Sequence, residues 1–330
     1  MLARLFVHLP FHLTVPEGEK FTVYEYEDSG YKVRFFPPER SELAPAIDGP
    51  EQLKIDGVSA FQADLLRIDF SKESFERGIR SPCDPPYDVI NRAVNSFLLR
   101  IRHVTRAPQV RQVDFPSGTW HLQYLNDDET EPEKDEKFVR VRRALQFEIS
   151  WIALNKEVWG DIHNLPPDYE PPAWDSLLLD ANAELSRIGP SIVLAWTALE
   201  VFISQMLDQL ATVKNMPMEL WTWINQRDDR RQEPTVEEQF DALLKCLTDH
   251  SLKEEQKLWE SFKNLRTARN SFVHEGVAKV GGLPINTEMT RKLIASASMI
   301  IQKVREWLPQ DLHWPEFRHE VKVEITRQLK

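Results

Sequence analysis

Four prolines within nine positions, Asn164-Leu165-Pro166-Pro167-Asp168-Tyr169-Glu170-Pro171-Pro172, divide this chain into two stretches that cannot share one continuous element. Each proline lacks a backbone N–H and holds φ near about −65°, so no helix interior can run through the segment. It reads as a linker. A chain of 330 residues, at about 100–200 residues per domain, is expected to form two domains. We place them at 1–165 and 173–330.

Upstream of the linker the residues pattern as a sheet. Residues 21–26 and 31–36 are rich in aromatic and β-branched side chains, and Glu27-Asp28-Ser29-Gly30 between them predicts a hairpin. Further strands are expected at 65–70, 110–114 and 119–125. One helix is expected over 88–104, bounded by Pro85, Pro86 and Pro108. In it Ile90, Val94, Phe97, Leu98 and Ile101 recur at helical spacing. Residues 126–137 are acidic and polar, the pattern of a solvated loop.

Downstream the apolar period lengthens to that of helices, expected over 173–188, from there to about 210, then 217–226, 236–247, 252–274 and 287–308. Gly189-Pro190 separates the first two; proline is tolerated at a helix start, where its missing N–H would be unpaired anyway. In the second helix Ile192, Trp196, Leu199, Phe202, Ile203, Met206 and Leu210 form a broad apolar face. Gly276 and the run 281–284 close the helix over 252–274, Pro309 closes the last helix, and a final strand is expected at 321–325. The fold class is therefore α+β: a mixed, strand-rich N-terminal domain followed by an all-α bundle.

Composition narrows the setting. Cys83 and Cys246 are too few for a disulfide framework, and neither sits in a Cys-x-x-Cys pair, so a reducing cytoplasm is the expected compartment. Pro10 and His12 interrupt the apolar stretch after Met1-Leu2-Ala3-Arg4, so no signal peptide is expected. The longest apolar run, 188–210, carries Glu200, Gln205 and Asp208 and reads as a buried helix rather than a membrane span. A net charge of −11 argues against broad, sequence-independent nucleic-acid binding. The charge is uneven: residues 1–170 hold 21 basic and 29 acidic side chains, residues 171–330 hold 20 and 23. The second half repels phosphate less. Gly-rich phosphate loops, His-Glu-x-x-His and Gly-x-Ser-x-Gly do not occur. His8 and His12 have metal-like spacing, but Pro10 prevents a helix there and no acidic or Cys partner stands close in sequence. No metal or cofactor is expected.

The most informative stretch is Leu265-Arg266-Thr267-Ala268-Arg269-Asn270-Ser271-Phe272-Val273-His274-Glu275-Gly276. On a helix Asn270 and His274 are i and i+4 and stack on one face. Arg269 flanks that face, while Leu265, Ala268 and Phe272 can turn to the core. His274 lies in the last turn, where the helix dipole attracts positive charge. Such a residue can transfer protons, and a permanently charged guanidinium beside it can hold a phosphate. RNA brings its own nucleophile, the 2′-hydroxyl, so a site of this kind could cleave it without metal. The products would be a 2′,3′-cyclic phosphate and a 5′-hydroxyl. One helix offers a single imidazole, whereas in-line cleavage uses one group to take a proton and another to give one. Two copies across a two-fold axis would supply both, so a homodimer is expected. Arg-x4-His alone is a common helical pattern that serves equally as surface charge and helix cap.

In context the pattern resembles the HEPN superfamily (higher eukaryotes and prokaryotes nucleotide-binding). Its signature is Arg-x(4–6)-His with a polar residue, commonly Asn, directly after the Arg. Arg269, Asn270 and His274 match, and the motif lies in the penultimate long helix. The segment 194–202 is similar to the family helix that packs against it. The resemblance spans about 173–308 and leaves the first ~165 residues uncovered. It implies a helical bundle that dimerises around the motif and endoribonuclease activity on an RNA substrate such as tRNA or mRNA. The layout is similar to HEPN effectors of bacterial antiviral defence, abortive-infection systems and toxins, with an appended domain that senses a trigger or positions the substrate. Arg269 and His274 would be catalytic and Asn270 would orient them. Glu200, Arg266 and Glu275 are candidate pocket residues. Some members are catalytically silent scaffolds or partners of a nucleotidyltransferase in toxin–antitoxin pairs, and both readings stand as alternatives.

Arg227, Arg230 and Arg231 could touch RNA backbone, though Asp228 and Asp229 among them halve the field and favour ordinary solvated charge. Trp221 and Trp223 could stack bases or fill a core. His313 and His319 read as surface structure.

Overall fold

The chain begins with a 15-residue strand, β1 (Leu2–Pro16). The computed structural model describes residues 2–41, 51–72, 85–113, 120–126, 128–130, 137–140, 151–225, 233–317, 319 and 323–327. After β1 come β2 (Tyr24–Asp28), β3 (Tyr31–Phe35), β4 (Glu51–Ile55), β5 (Val58–Ser71), α1 (Tyr87–Thr105), β6 (Trp120–Leu125), β7 (Lys137–Arg140), β8 (Trp151–Ala153) and α2 (Lys156–Asn164). Then follow α3 (Ala173–Ala183), α4 (Ile188–Val213) and α5 (Met218–Asn225). A short α6 (Val236–Glu238) continues through a π-helical turn (Gln239–Leu243) into α7 (Leu244–Thr248), and a 3-10 turn (Leu252–Glu254) precedes α8 (Gln256–Glu275). The chain closes with β9 (Lys279–Val280), β10 (Leu283–Pro284), α9 (Thr287–Trp307) and β11 (Val323–Arg327). Two units result, Met1–Glu170 with Phe317–Lys330, and Pro171–Glu316. The first is strand-rich and mixed; the second is helical.

In the first unit the strands run in the order β11-β4-β5-β1-β6-β7, with β3 also on β5, β2 on β3, and β8 parallel to β1. Alternate residues of β1, from Ala3 to Val15, are buried at 4% exposure or less, the period-2 pattern of a sheet with one face on the core. Ile90, Val94, Phe97, Leu98 and Ile101 of α1 are buried against that face, as are Val158, Trp159 and Ile162 of α2. The hairpin expected at residues 27–30 is β2–β3, with Ser29 and Gly30 at φ 53° and 78° between Asp28 and Tyr31. Two left-handed residues make the turn whose twist matches the strands.

Several expectations change. The N-terminal apolar stretch is a strand that tolerates Pro10: residues 2–7 pair with β6, residues 12–14 pair with β8, and the register on β5 shifts between His8 and Leu13. A residue without an N–H fits where the ladder is already broken. Residues 110–113 are not a strand, because both polar groups of the Val113 backbone are taken by the Asn95 side chain at 2.8 Å each. Asp114, Cys83 and residues 131–136 lie outside the described residues. The tail assigned to the helical domain returns to the first unit instead, where β11 satisfies the free edge of β4. α3 stops at Ala183 rather than 188, and α4 begins at Ile188 with Pro190 in its first turn, where a missing N–H goes unused. α4 is long and apolar enough to cross a membrane, but 56% of its most apolar window is buried inside the protein.

Charge is also built into the first unit. Asp69 is fully buried on β5; burial works against its ionisation, but bonds from Arg4 (2.9 Å) and Arg67 (2.9 Å) outweigh that and hold its carboxyl below the usual range. His163 of α2 lies parallel to the Tyr24 ring at 4.3 Å and edge-on to Trp159 at 4.1 Å. Burial, and then the charge of Arg100, push its imidazole down to about 3. An unfolded histidine titrates near about 6.5. The folded value is the lower one, so stability is full above about pH 6.5 and is lost as pH falls toward 3. His163→Phe keeps a ring in the cluster and is expected to flatten the fall in urea midpoint across that window. A variant curve parallel to wild type would assign the dependence to other groups.

Candidate functional site

α8 exposes its motif by burying the opposite side. Phe262, Leu265 and Ala268 are at most 1% exposed, and the spacing places Phe272 one turn further along the same stripe. There α8 meets the first turn of α4. A Cβ at position 189 would lie 2.0 Å from the Phe272 ring, so glycine alone lets the helices approach. About two turns along α4, Trp196 packs against Phe262 with ring centroids 5.1 Å apart. These contacts fix the rotation of α8 about its axis. Asn270 and His274 consequently face solvent, and Arg269 is half-buried.

The Arg269 guanidinium donates to Asn270 Oδ1 at 3.1 Å. Its Nε is shielded from solvent and has no partner among the described residues. Asn270 thus holds Arg269 through a neighbour-to-neighbour bond. His274 makes no hydrogen bond or ion pair with any described residue. α8 ends at Gly276, at φ +75°, whose N–H returns to the Phe272 carbonyl at 2.8 Å. An exposed imidazole can exchange a proton with a bound ligand, and a tethered guanidinium five residues earlier on the same helix can hold an anion.

The other candidates are spread more widely. Arg266 pairs with Glu237 of α6, and Glu275 pairs with Lys279 of β9 at 2.6 Å. Glu200 accepts the Trp196 indole N–H at 2.6 Å within α4. These three therefore have structural partners of their own. Arg227, Arg230 and Arg231 lie outside the described residues. Trp221 is buried and donates to Asp208 at 2.7 Å, whereas Trp223 is 58% exposed. His313 lies 3.1 Å from the Leu308 carbonyl and His319 3.0 Å from Asp161.

Sequence reasoning missed two contributors. Ser271 accepts from the Lys279 N–H at 2.7 Å and donates to the Ala268 carbonyl at 3.0 Å, tying the β9–β10 hairpin to α8. Gly189 was legible only as a helix break, because the ring that requires it lies 83 positions away in the sequence. Near His8 and His12 the fold supplies the acidic partner that local sequence lacks: Asp64 lies 3.9 Å from His8 and interacts with His12. Among the described residues no group of three or more His, Cys, Asp or Glu side chains converges as a metal site would.

Comparison with protein-family models, with curated proteins and with solved structures finds no match.

Gly189→Ala drives a methyl into the Phe272 ring and is expected to cost about 1–3 kcal/mol, read as a lowered melting temperature. Adding Phe272→Leu, which removes the opposing ring, is expected to recover part of the loss. If the double variant is no more stable than the sum of the single losses, the two residues are not the coupled contact described.

Proposed function

We propose that the helical unit is a HEPN-like bundle and that the protein is a metal-independent endoribonuclease. It would act as a homodimer, with roles in antiviral defence or as a toxin and the N-terminal unit sensing a trigger or positioning the RNA. The observation that supports this reading is the grouping of Arg269, Asn270 and His274 at the exposed end of α8, with His274 uncommitted and Arg269 held by its neighbour. The order of elements is that of the resemblance: a turn and a long final helix, α9, follow the motif helix.

In the reaction the 2′-hydroxyl oxygen attacks the adjacent phosphorus while one His274 takes its proton. The P–O5′ bond breaks, and the 5′-oxygen receives a proton from the His274 of a second copy. Arg269 holds the non-bridging oxygens, whose charge grows in the transition state. Val273 and Val277 beside His274 are 52% and 44% exposed, as are Leu283 and Met289 at 73% and 42%. Exposed apolar side chains on the motif helix and the elements that follow it favour burial against a second copy, which the chemistry also needs.

His274→Ala and Arg269→Ala are each expected to lower cleavage of total RNA by about 100-fold or more while the far-UV spectrum is retained. EDTA is expected to leave the rate unchanged, and the fragments to carry 2′,3′-cyclic phosphates. If both variants cleave like wild type, the activity lies elsewhere. A wild-type homodimer that cleaves no RNA would leave the helical unit as a dimerisation scaffold.

A further inference from the structure

We propose that the N-terminal unit binds an aliphatic polyamine in a cavity formed by the β2–β3 hairpin, α1 and the segment 167–170. The cavity has a volume of about 710 Å³, the size of small-molecule sites in general. Nothing in the RNA-cleavage reading uses it, and it belongs wholly to the first unit.

Its charge selects the ligand. Among the described residues, Glu27, Asp28, Asp168 and Glu170 line it, and Arg92 is the one cationic side chain that does. Arg92 is already committed, to Asp28 at 3.2 Å and to Asp88 at 3.1 Å. The described lining therefore carries four acidic side chains against one basic, an excess of three negative charges. Phosphates and carboxylates are repelled; a cation is drawn in.

The walls select the kind of cation. Tyr26 and Tyr169 both line the cavity, and both rings are fixed. Tyr26 stacks on Phe35 with centroids 6.0 Å apart, and the Tyr169 hydroxyl meets His103 Nε2 at 3.0 Å. Aromatic rings attract ammonium groups through their quadrupoles and cover methylene chains at the same time. Three amides also line the cavity, Asn91, Asn95 and Gln112; Asn95 is committed, donating to Asn91 at 3.0 Å and to the Val113 carbonyl at 2.8 Å. Aromatic surface, three uncompensated negative charges and a room of this size fit a flexible chain of methylenes carrying about three ammonium groups. A bare metal ion would leave the rings and most of the volume unused.

Isothermal titration of the full chain with spermidine tests this, with putrescine, magnesium and inorganic phosphate as comparators. Spermidine is expected to bind saturably at one site, more tightly than putrescine, with no heat from phosphate. The double variant Asp168→Asn/Glu170→Gln alters exposed side chains and is expected to weaken spermidine about tenfold or more. Glu27→Gln is expected to act in the same direction. The proposal is overturned if spermidine gives no saturable binding, if the variants bind it as wild type does, or if magnesium displaces it at equal concentration. Binding is read directly, so the outcome is independent of whether the chain cleaves RNA.

Discussion

The helical unit depends on one close approach, the ring of Phe272 pressed against the bare backbone of Gly189. Two helices separated by even a methyl group there would sit further apart, and α8 would lose the rotation that turns Asn270 and His274 outward. The rest of the bundle follows from the same packing. α4 buries residues from Ile192 to Leu210 against α3, α8 and α9, and the core is filled by Trp174, Trp196, Phe202, Phe240 and Phe262. Interiors of this density transmit displacement rather than absorb it. A change at 189 is therefore felt at the motif, through Phe272.

The N-terminal unit is organised differently, around charge held inside a sheet. Arg100 of α1 is fully buried; its Nε donates to the Ser96 carbonyl at 3.2 Å and its guanidinium lies over the Tyr24 ring at 5.0 Å. Burial pushes Arg100 down from its ordinary value, with the tyrosines opposing the shift. Asp64 shows the opposite balance: burial works against its charge, yet His8 and the Ser41 hydroxyl and N–H hold the carboxyl at about 2. Groups like these cost stability unless every partner is in place. They confine each strand to one register, because a slip would strand a charge as well as turn apolar residues to solvent.

The two units divide the chemistry. One presents a cationic and titratable pair at a helix end, the other an acidic, aromatic cavity. On the two proposals, an anionic ligand and a cationic one would meet different units of a chain whose overall charge is −11.

Periodicity alone determined a good deal. The β2–β3 hairpin, α1 with the five apolar positions read from its spacing, and the boundaries of α9 were all legible, because each rests on interactions within a few residues. The placing of Arg269, Asn270 and His274 near the end of one helix was legible for the same reason. Only the tertiary structure decided the rest. β1 could not be read as a strand across Pro10 until its two different partners were known, and β11 could not be assigned to the sheet before the edge of β4 was seen. Residues 110–113 lost strand structure to a side chain on α1, Asp64 came to His8 from 56 positions away, and Phe272 reached Gly189 across 83. Contacts between distant residues leave no period in the sequence; they exist only once the chain has closed on itself.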